Sequence, residues 1–268
     1  MAVNKILGRR KKKNPLDSSG PSSYILIMKH LIIGAGNMGL KHGKILESLG
    51  DICVWVDINY KDAQPPVNFS GFDSIMICTP PETHAQLINE FPHHVLFVEK
   101  PAILPIDSLP EKRKKPSHVA CNWRWCKCIQ SYKNPTLRVG YSTTKENAKL
   151  DLIHFYDLFV QDGYKRDDSL RIVELDDLGM IWFDIFHEGA IRRAEIQYKQ
   201  DFKNSFNSTQ RRDPWPFTLC QGNRIHKDGP CDMFTEQMRY YRRLVAGEEK
   251  EKNLLDQASQ RIKELWTT

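Results

Sequence analysis

Three ionisable residues at helical spacing, Asp151, His154 and Asp157, stand in an otherwise apolar stretch, DLIHFYDLFV. At i, i+3 and i+6 on a helix, consecutive members are surface neighbours and form one slanting polar stripe. A carboxylate beside an imidazole fixes its tautomer and stabilises its charged form, the arrangement general acid–base catalysis uses. A second chemical group comes from VLFVEKPAI, where an apolar run ends on Glu99, Lys100 and Pro101. Successive side chains at a strand end point to opposite faces, so Glu99 and Lys100 do not form a simple salt bridge. The carboxyl ends of parallel strands open on a ligand crevice, which delivers Lys100 to it. A third group is GAGNMG at 34–39, with an apolar strand entering and a helix leaving. That context makes it a dinucleotide-phosphate loop. Gly34 permits the turn, Gly36 leaves room for the pyrophosphate, and Gly39 allows close helix–strand packing. The free amides and the positive helix end then meet the phosphates. Asp57, 18 residues past Gly39, stands where a carboxylate accepts from ribose hydroxyls, which favours NAD over NADP. Lys61 could reach a 2′-phosphate and leaves NADP open.

The elements that must position these groups fall into two kinds. Lys29–Ile33, Ile52–Val56, Ser74–Cys78, Val95–Val98 and His118–Asn122 read as short buried strands, separated by helices over Asn37–Leu49 and Glu82–Phe91. Continuously apolar strands alternating with helices predict a parallel, doubly wound sheet. After Trp123 the pattern changes to an open, mostly antiparallel sheet: Leu137–Gly140, Leu170–Leu175, Met180–Phe186, Ala194–Tyr198 and Phe217–Cys220. One helix, Glu146–Val160, interrupts it, and helices over Asp232–Val245 and Asn253–Trp266 close the chain. The expected division is a basic tail at 1–27, a Rossmann unit at 28–122, and an α+β unit at 123–268 for substrate binding and oligomerisation.

Composition narrows the classes further. At 40% apolar and 27% charged residues the chain reads as globular and water-soluble, with no apolar run of membrane-spanning length. Residues 1–27 hold six basic side chains against one acid, so most of the formal +6 charge sits there and the remainder has no global basic character. No aromatics interleave with RRKKK, so nucleic acid is not expected as a partner. Seven cysteines, an odd number, and no secretion signal predict reduced thiols and a cytoplasmic setting. Cys126-Lys127-Cys128 lacks zinc-knuckle spacing, and no metal is expected. GluLysArgLysLys at 111–115 reads as a solvated turn or helix end, and His84 as a helix-surface residue near the cofactor. Trp123-Arg124-Trp125 has two readings of equal weight, an aromatic domain junction or a site for sugar stacking and phosphate binding.

Taken in order, GAGNMG, Asp57, CTPPETHAQLI at 78–88, VEKP at 98–101, NWRW at 122–125, DLIHFYD at 151–157 and CDMFTEQMRYYRRL at 231–244 resemble the Gfo/Idh/MocA oxidoreductases, from Met28 to near the C-terminus. The spacing of TPP-x-x-H and EKP is the specific part. The resemblance implies a Rossmann domain and an open-sheet domain whose outer face makes a homo-oligomer interface. It implies NAD as cofactor and a small sugar-like substrate. It places Gly34, Gly36, Asn37, Met38, Gly39, Asp57, Thr79, Pro80, His84, Glu99 and Lys100 around the cofactor. Lys100, His154, Asp151 and Asp157 become catalytic, with Lys100, Arg124 and His154 at the substrate. The Lys100–Pro101 bond is expected to admit a cis form. Many members carry an acid four residues before the histidine; here Leu150 holds that position and Asp151 lies three before. The implied activity is hydride transfer between nicotinamide and a carbinol or ketone of a sugar, cyclitol or nucleotide sugar. Lys100 or His154 would carry the proton, and the residues do not choose between them. Two other readings are an NAD-using glycosidase or epimerase and an inert NAD-binding interaction protein.

Overall fold

The computed structural model describes residues 26–57, 69–104, 107–108, 113–125, 137–141, 145–161, 169–175, 178, 180–187, 190–198, 218–221, 224–227, 233–249 and 255. Residues 1–25 of the tail, Lys61, Cys126, Cys128, Cys231 and all of the expected last helix except Leu255 lie outside them.

The first unit is a parallel sheet of β1 (Lys29–Ile33), β2 (Ile52–Val56), β3 (Ser74–Ile77), β4 (Val95–Val98) and β5 (Ser117–Val119), in the order β2-β1-β3-β4-β5. Strand order reverses beside β1, and the loops after β1 and β3 meet at that point. The period-2 alternation sorts the strands' apolar residues onto two faces. Leu31, Ile75, Ile77, Leu96, Val98 and Val119 form one core with Ile88 and Phe91 of helix α2 (His84–Glu90) and its end. Ile32, Met76, Phe97 and Ala120 form the other with Leu46 of helix α1 (Asn37–Ser48).

The second unit is a six-stranded sheet of β6 (Leu137–Tyr141), β7 (Ser169–Leu175), β8 (Met180–His187), β9 (Ala190–Gln197), β10 (Thr218–Gln221) and β11 (Arg224–Lys227), ordered β11-β10-β6-β9-β8-β7. Only the β6–β9 pair is parallel. Helix α3 (Lys145–Gln161) lies on it, sinking Leu152, Phe155, Leu158 and Phe159 against Ile181, Ile185, Ala194 and Ile196.

Helix α4 (Met233–Val245) follows the second sheet in sequence but packs on the first. Its Met238, Tyr241 and Leu244 are sealed against Ile32, Met76 and Phe97. Each such side chain contributes about 1.5–3 kcal/mol relative to exposure. Arg242 fastens the same helix to the strand starts, reaching Asp51 Oδ2 at 2.7 Å and the Leu26 carbonyl at 3.2 Å.

Three local expectations are corrected. The fifth strand ends at Val119, and Asn122–Trp125 forms a 3-10 turn. The helix expected at Glu82 begins as a 3-10 turn over Pro81–Thr83 and becomes α-helical at His84. Arg113 is not in a solvated turn: it is buried, with its guanidinium donating to the carbonyls of Ile88, Phe91 and His94 at 2.9, 3.0 and 2.6 Å. Helix α2 has no basic residue in its last turn, so Arg113 satisfies the carbonyls the helix end leaves open.

Candidate active site

The phosphate loop has the shape its glycines imply. Gly34 has φ +97°, and a Cβ there would lie 2.6 Å from the Cys78 carbonyl oxygen. A Cβ on Gly39 would lie 1.9 Å from the Gly34 carbonyl oxygen. Gly36 is different: a Cβ there meets nothing within 4 Å. The space above Gly36 adjoins the start of α1, which has neither a side-chain cap nor an acidic residue in its first turn. Open amides and an uncompensated positive helix end suit a pyrophosphate. Asp57, just past β2, accepts from the Ala35 amide at 2.6 Å and so is fixed at the rim of the same loop. These residues fit a dinucleotide.

Lys100 follows β4 and is joined to Pro101 by a cis peptide bond. Its Nζ donates to Asp151 Oδ1 at 2.6 Å, an ion pair from the first sheet to α3. Asp151, the acid at the shifted position, is therefore the partner of Lys100. Glu99 points elsewhere, as alternation requires: Oε1 lies 2.7 Å from His42 Nε2, and Oε2 accepts from the Lys100 amide at 3.2 Å.

His154 lies one turn after Asp151 and stacks on Trp123 at 4.6 Å between ring centroids. Burial, then the positive charges of Lys100 and Arg124, hold its imidazole well below the ordinary histidine range. It is therefore neutral at physiological pH, and its Nδ1 has no hydrogen-bond partner. Asp157 does not reach His154. Arg124 grips it with Nε at 2.9 Å and with Nη2 on the other oxygen. This bidentate pair ties α3 to the 3-10 turn that carries Trp123.

One cavity, of about 100 Å³, collects Met38, Glu99, Lys100, Asp151 and His154. Arg124 and Asp157 are not among the residues that line it. Thr79 and Pro80 form the turn after β3, where Thr79 Oγ1 bonds Thr83 Oγ1 at 2.6 Å. His84 is fully buried rather than on a helix surface, and both its ring nitrogens are taken by backbone carbonyls, so it has no hydrogen bond left for a cofactor. Sequence reasoning missed five lining residues, His42, Ala120, Asn122, Phe234 and Gln237. Helical spacing was the available signal. His42 is four residues after Met38 on α1, and Phe234 and Gln237 are three apart on α4. Burial pushes the thiols of Cys53, Cys78 and Cys121 up, Cys53 to about 12, so none is a nucleophile at neutral pH. Among the described residues no group of three or more His, Cys, Asp or Glu could hold a metal ion, and no helix is long and apolar enough to cross a membrane.

No family model and no curated protein matches the sequence. Solved structures do match by shape. The UDP-N-acetylglucosamine 3-dehydrogenase GnnA of Acidithiobacillus ferrooxidans aligns over 90% of this chain and 98% of its own at TM-score 0.61 and 15% identity. The dehydrogenase MviM of Clostridium difficile aligns over 88% and 97% at TM-score 0.59 and 13% identity. The WlbA dehydrogenase of Bordetella pertussis, solved in complex with NADH and UDP-GlcNAcA, aligns over 89% and 97% at TM-score 0.56 and 13% identity. With its parallel sheet, its open second sheet and these alignments over nearly the whole length, the chain has the two-domain fold of the Gfo/Idh/MocA-type oxidoreductases.

Proposed function

We propose that the chain binds NAD(H) along the carboxyl edge of the first sheet and transfers hydride between the nicotinamide and a carbinol or ketone carbon of a sugar, cyclitol or nucleotide sugar. The observation that carries this reading is the convergence of Lys100, Asp151 and His154 on one cavity that Met38 of the phosphate loop also lines. Proteins of the same fold include a UDP-N-acetylglucosamine 3-dehydrogenase and an enzyme that holds NADH with UDP-GlcNAcA. When bound, the nicotinamide supplies or accepts the hydride, and the chain must orient the substrate and move one proton.

The two candidate proton carriers divide the work. His154 is neutral and its Nδ1 has no partner, so its imidazole can exchange a proton with the reacting hydroxyl, as a weak base in oxidation and a strong acid in reduction. Trp123 holds its ring plane. Lys100, ion-paired to Asp151, donates a hydrogen bond to the same oxygen and stabilises negative charge that develops there. Asp157 and Arg124 act at one remove, by locking α3 to the Trp123 turn. Asp57 supports NAD over NADP, because a 2′-phosphate at that rim would meet its carboxylate.

Lys100→Met should lower the rate of substrate-dependent NADH turnover by about 10²–10⁴ while NADH binding persists. Joint loss of folding and NADH binding in that variant would make Lys100 structural instead. A thermal-shift panel of NAD(H), NADP(H) and sugar nucleotides tests the rest, and a larger shift with NADPH than with NADH would overturn the role given to Asp57.

A further inference from the structure

His84 opens α2 with no exposed surface. Its Nδ1 lies 2.7 Å from the Pro101 carbonyl oxygen and its Nε2 lies 2.8 Å from the Thr79 carbonyl oxygen. A carbonyl oxygen only accepts, so each contact needs an N–H, and a neutral imidazole has one. Both bonds form together only on an imidazolium. Both distances fall in the short range of charge-assisted hydrogen bonds. Its two partners are carbonyl oxygens rather than carboxylates. Glu82 on the same segment is exposed, and the Glu99 carboxylate is engaged with His42 and the Lys100 amide.

The two carbonyls belong to different turns. Thr79 follows β3, and Pro101 follows Lys100 after β4. The strands are still joined where Glu99 N donates to the Ile77 carbonyl at 2.8 Å. Past that rung, His84 spans the gap. We propose that His84, as a buried imidazolium, is a positioning residue: it fastens the turn that presents Lys100 to the Thr79 turn and so keeps Lys100 Nζ on Asp151. It does not line the cavity, and its two nitrogens are used in the clamp. The proposal concerns the same site as the hydride-transfer reading but stands on bonds that need no substrate.

The test uses the full chain with isotopically labelled histidine nitrogens. At neutral pH the ring signal that disappears in His84→Gln should show two protonated nitrogens in the wild-type protein. A single protonated nitrogen overturns the proposal. Assignment through the Ala85 backbone amide serves if His84→Gln does not fold. A second arm maps acylation of Lys100 by a small amine-reactive acyl donor, acetic anhydride, using mass spectrometry. Glutamine keeps one donor group in place of two opposed ones, so the turn should loosen and Lys100 should label several-fold faster. Equal labelling in folded His84→Gln also overturns the proposal. Neither arm measures turnover, so failure of the clamp and failure of the hydride-transfer reading give different results.

Discussion

Replacing Gly36 by alanine should leave the protein at least as stable and yet unable to hold its nucleotide. Gly36 sits at φ −69° and ψ −172°, a conformation any residue adopts, and its new methyl would meet no protein atom within 4 Å. Glycine to alanine at such a site stabilises by about 0.4–1 kcal/mol, because the unfolded chain has fewer states to lose. In a chain of this size that is a rise in Tm of about 1–4 °C. On the proposed reading, the same methyl fills the space where a pyrophosphate approaches the backbone. Losing even one or two charge-assisted bonds there, at about 1.5–3 kcal/mol each, weakens NADH binding about 10- to 10⁴-fold. Gly39→Ala is the contrasting control. Its methyl would sit 1.9 Å from the Gly34 carbonyl oxygen, backbone against backbone, and no rotamer relieves that. It should therefore lose stability, by about 3 kcal/mol or more, through strain in the loop. Nucleotide-free thermal unfolding and NADH fluorescence titration on the two variants give four numbers. Wild-type NADH affinity in a fully folded Gly36→Ala would refute the assignment of the phosphate seat.

Arg113→Ala strands three carbonyls at the end of α2 and should cost about 2–4 kcal/mol in urea unfolding. Arg113→Lys should recover only part of that, since an ammonium cannot span three acceptors as a guanidinium does. A loss under about 1 kcal/mol for the alanine variant would show that water replaces the guanidinium. His154 predicts a pH dependence. Its folded-state value lies below the unfolded one, so below about pH 6.5 the unfolded chain binds a proton that the folded chain refuses. Stability from this residue is complete above that pH and falls by about 1.4 kcal/mol per unit as acid is added, until the folded imidazole itself titrates. His154→Gln should flatten the acid limb of denaturant-derived stability against pH, and an unchanged slope would show that His154 is not the buried neutral group.

The parts of the site that the sequence made legible are those governed by neighbours along the chain. GAGNMG could be read because strand, turn and helix follow one another along the chain, and Gly39 answers a contact with Gly34, five residues before it. Lys100 could be placed in the crevice because β4 runs into it without interruption. What Lys100 binds was not legible: Asp151 is 51 residues away and meets it only because α3 crosses to the edge of the first sheet. The same limit hid the Asp157–Arg124 pair, since helical spacing showed that Asp157 shares a stripe with His154 but not which way its carboxylate turns. Arg113 was masked by its basic neighbours, and its burial depends on a helix end some twenty residues upstream. His84 was misjudged because a short helix gives too little periodicity to separate its inner face from its outer one.

The path of α4 bears on how the chain acquires its shape during synthesis. Domains generally fold as units, the N-terminal one first as the chain leaves the ribosome. Here the first unit cannot finish on that schedule. Ile32, Met76 and Phe97 wait for Met238, Tyr241 and Leu244, which emerge only after the whole second sheet has been made. Until then one side of the nascent parallel sheet is an uncovered apolar surface, with only α1 over part of it. A fragment ending near residue 122 should therefore be sticky rather than stable, and chaperones that read exposed hydrophobic surface have their longest opportunity on that face.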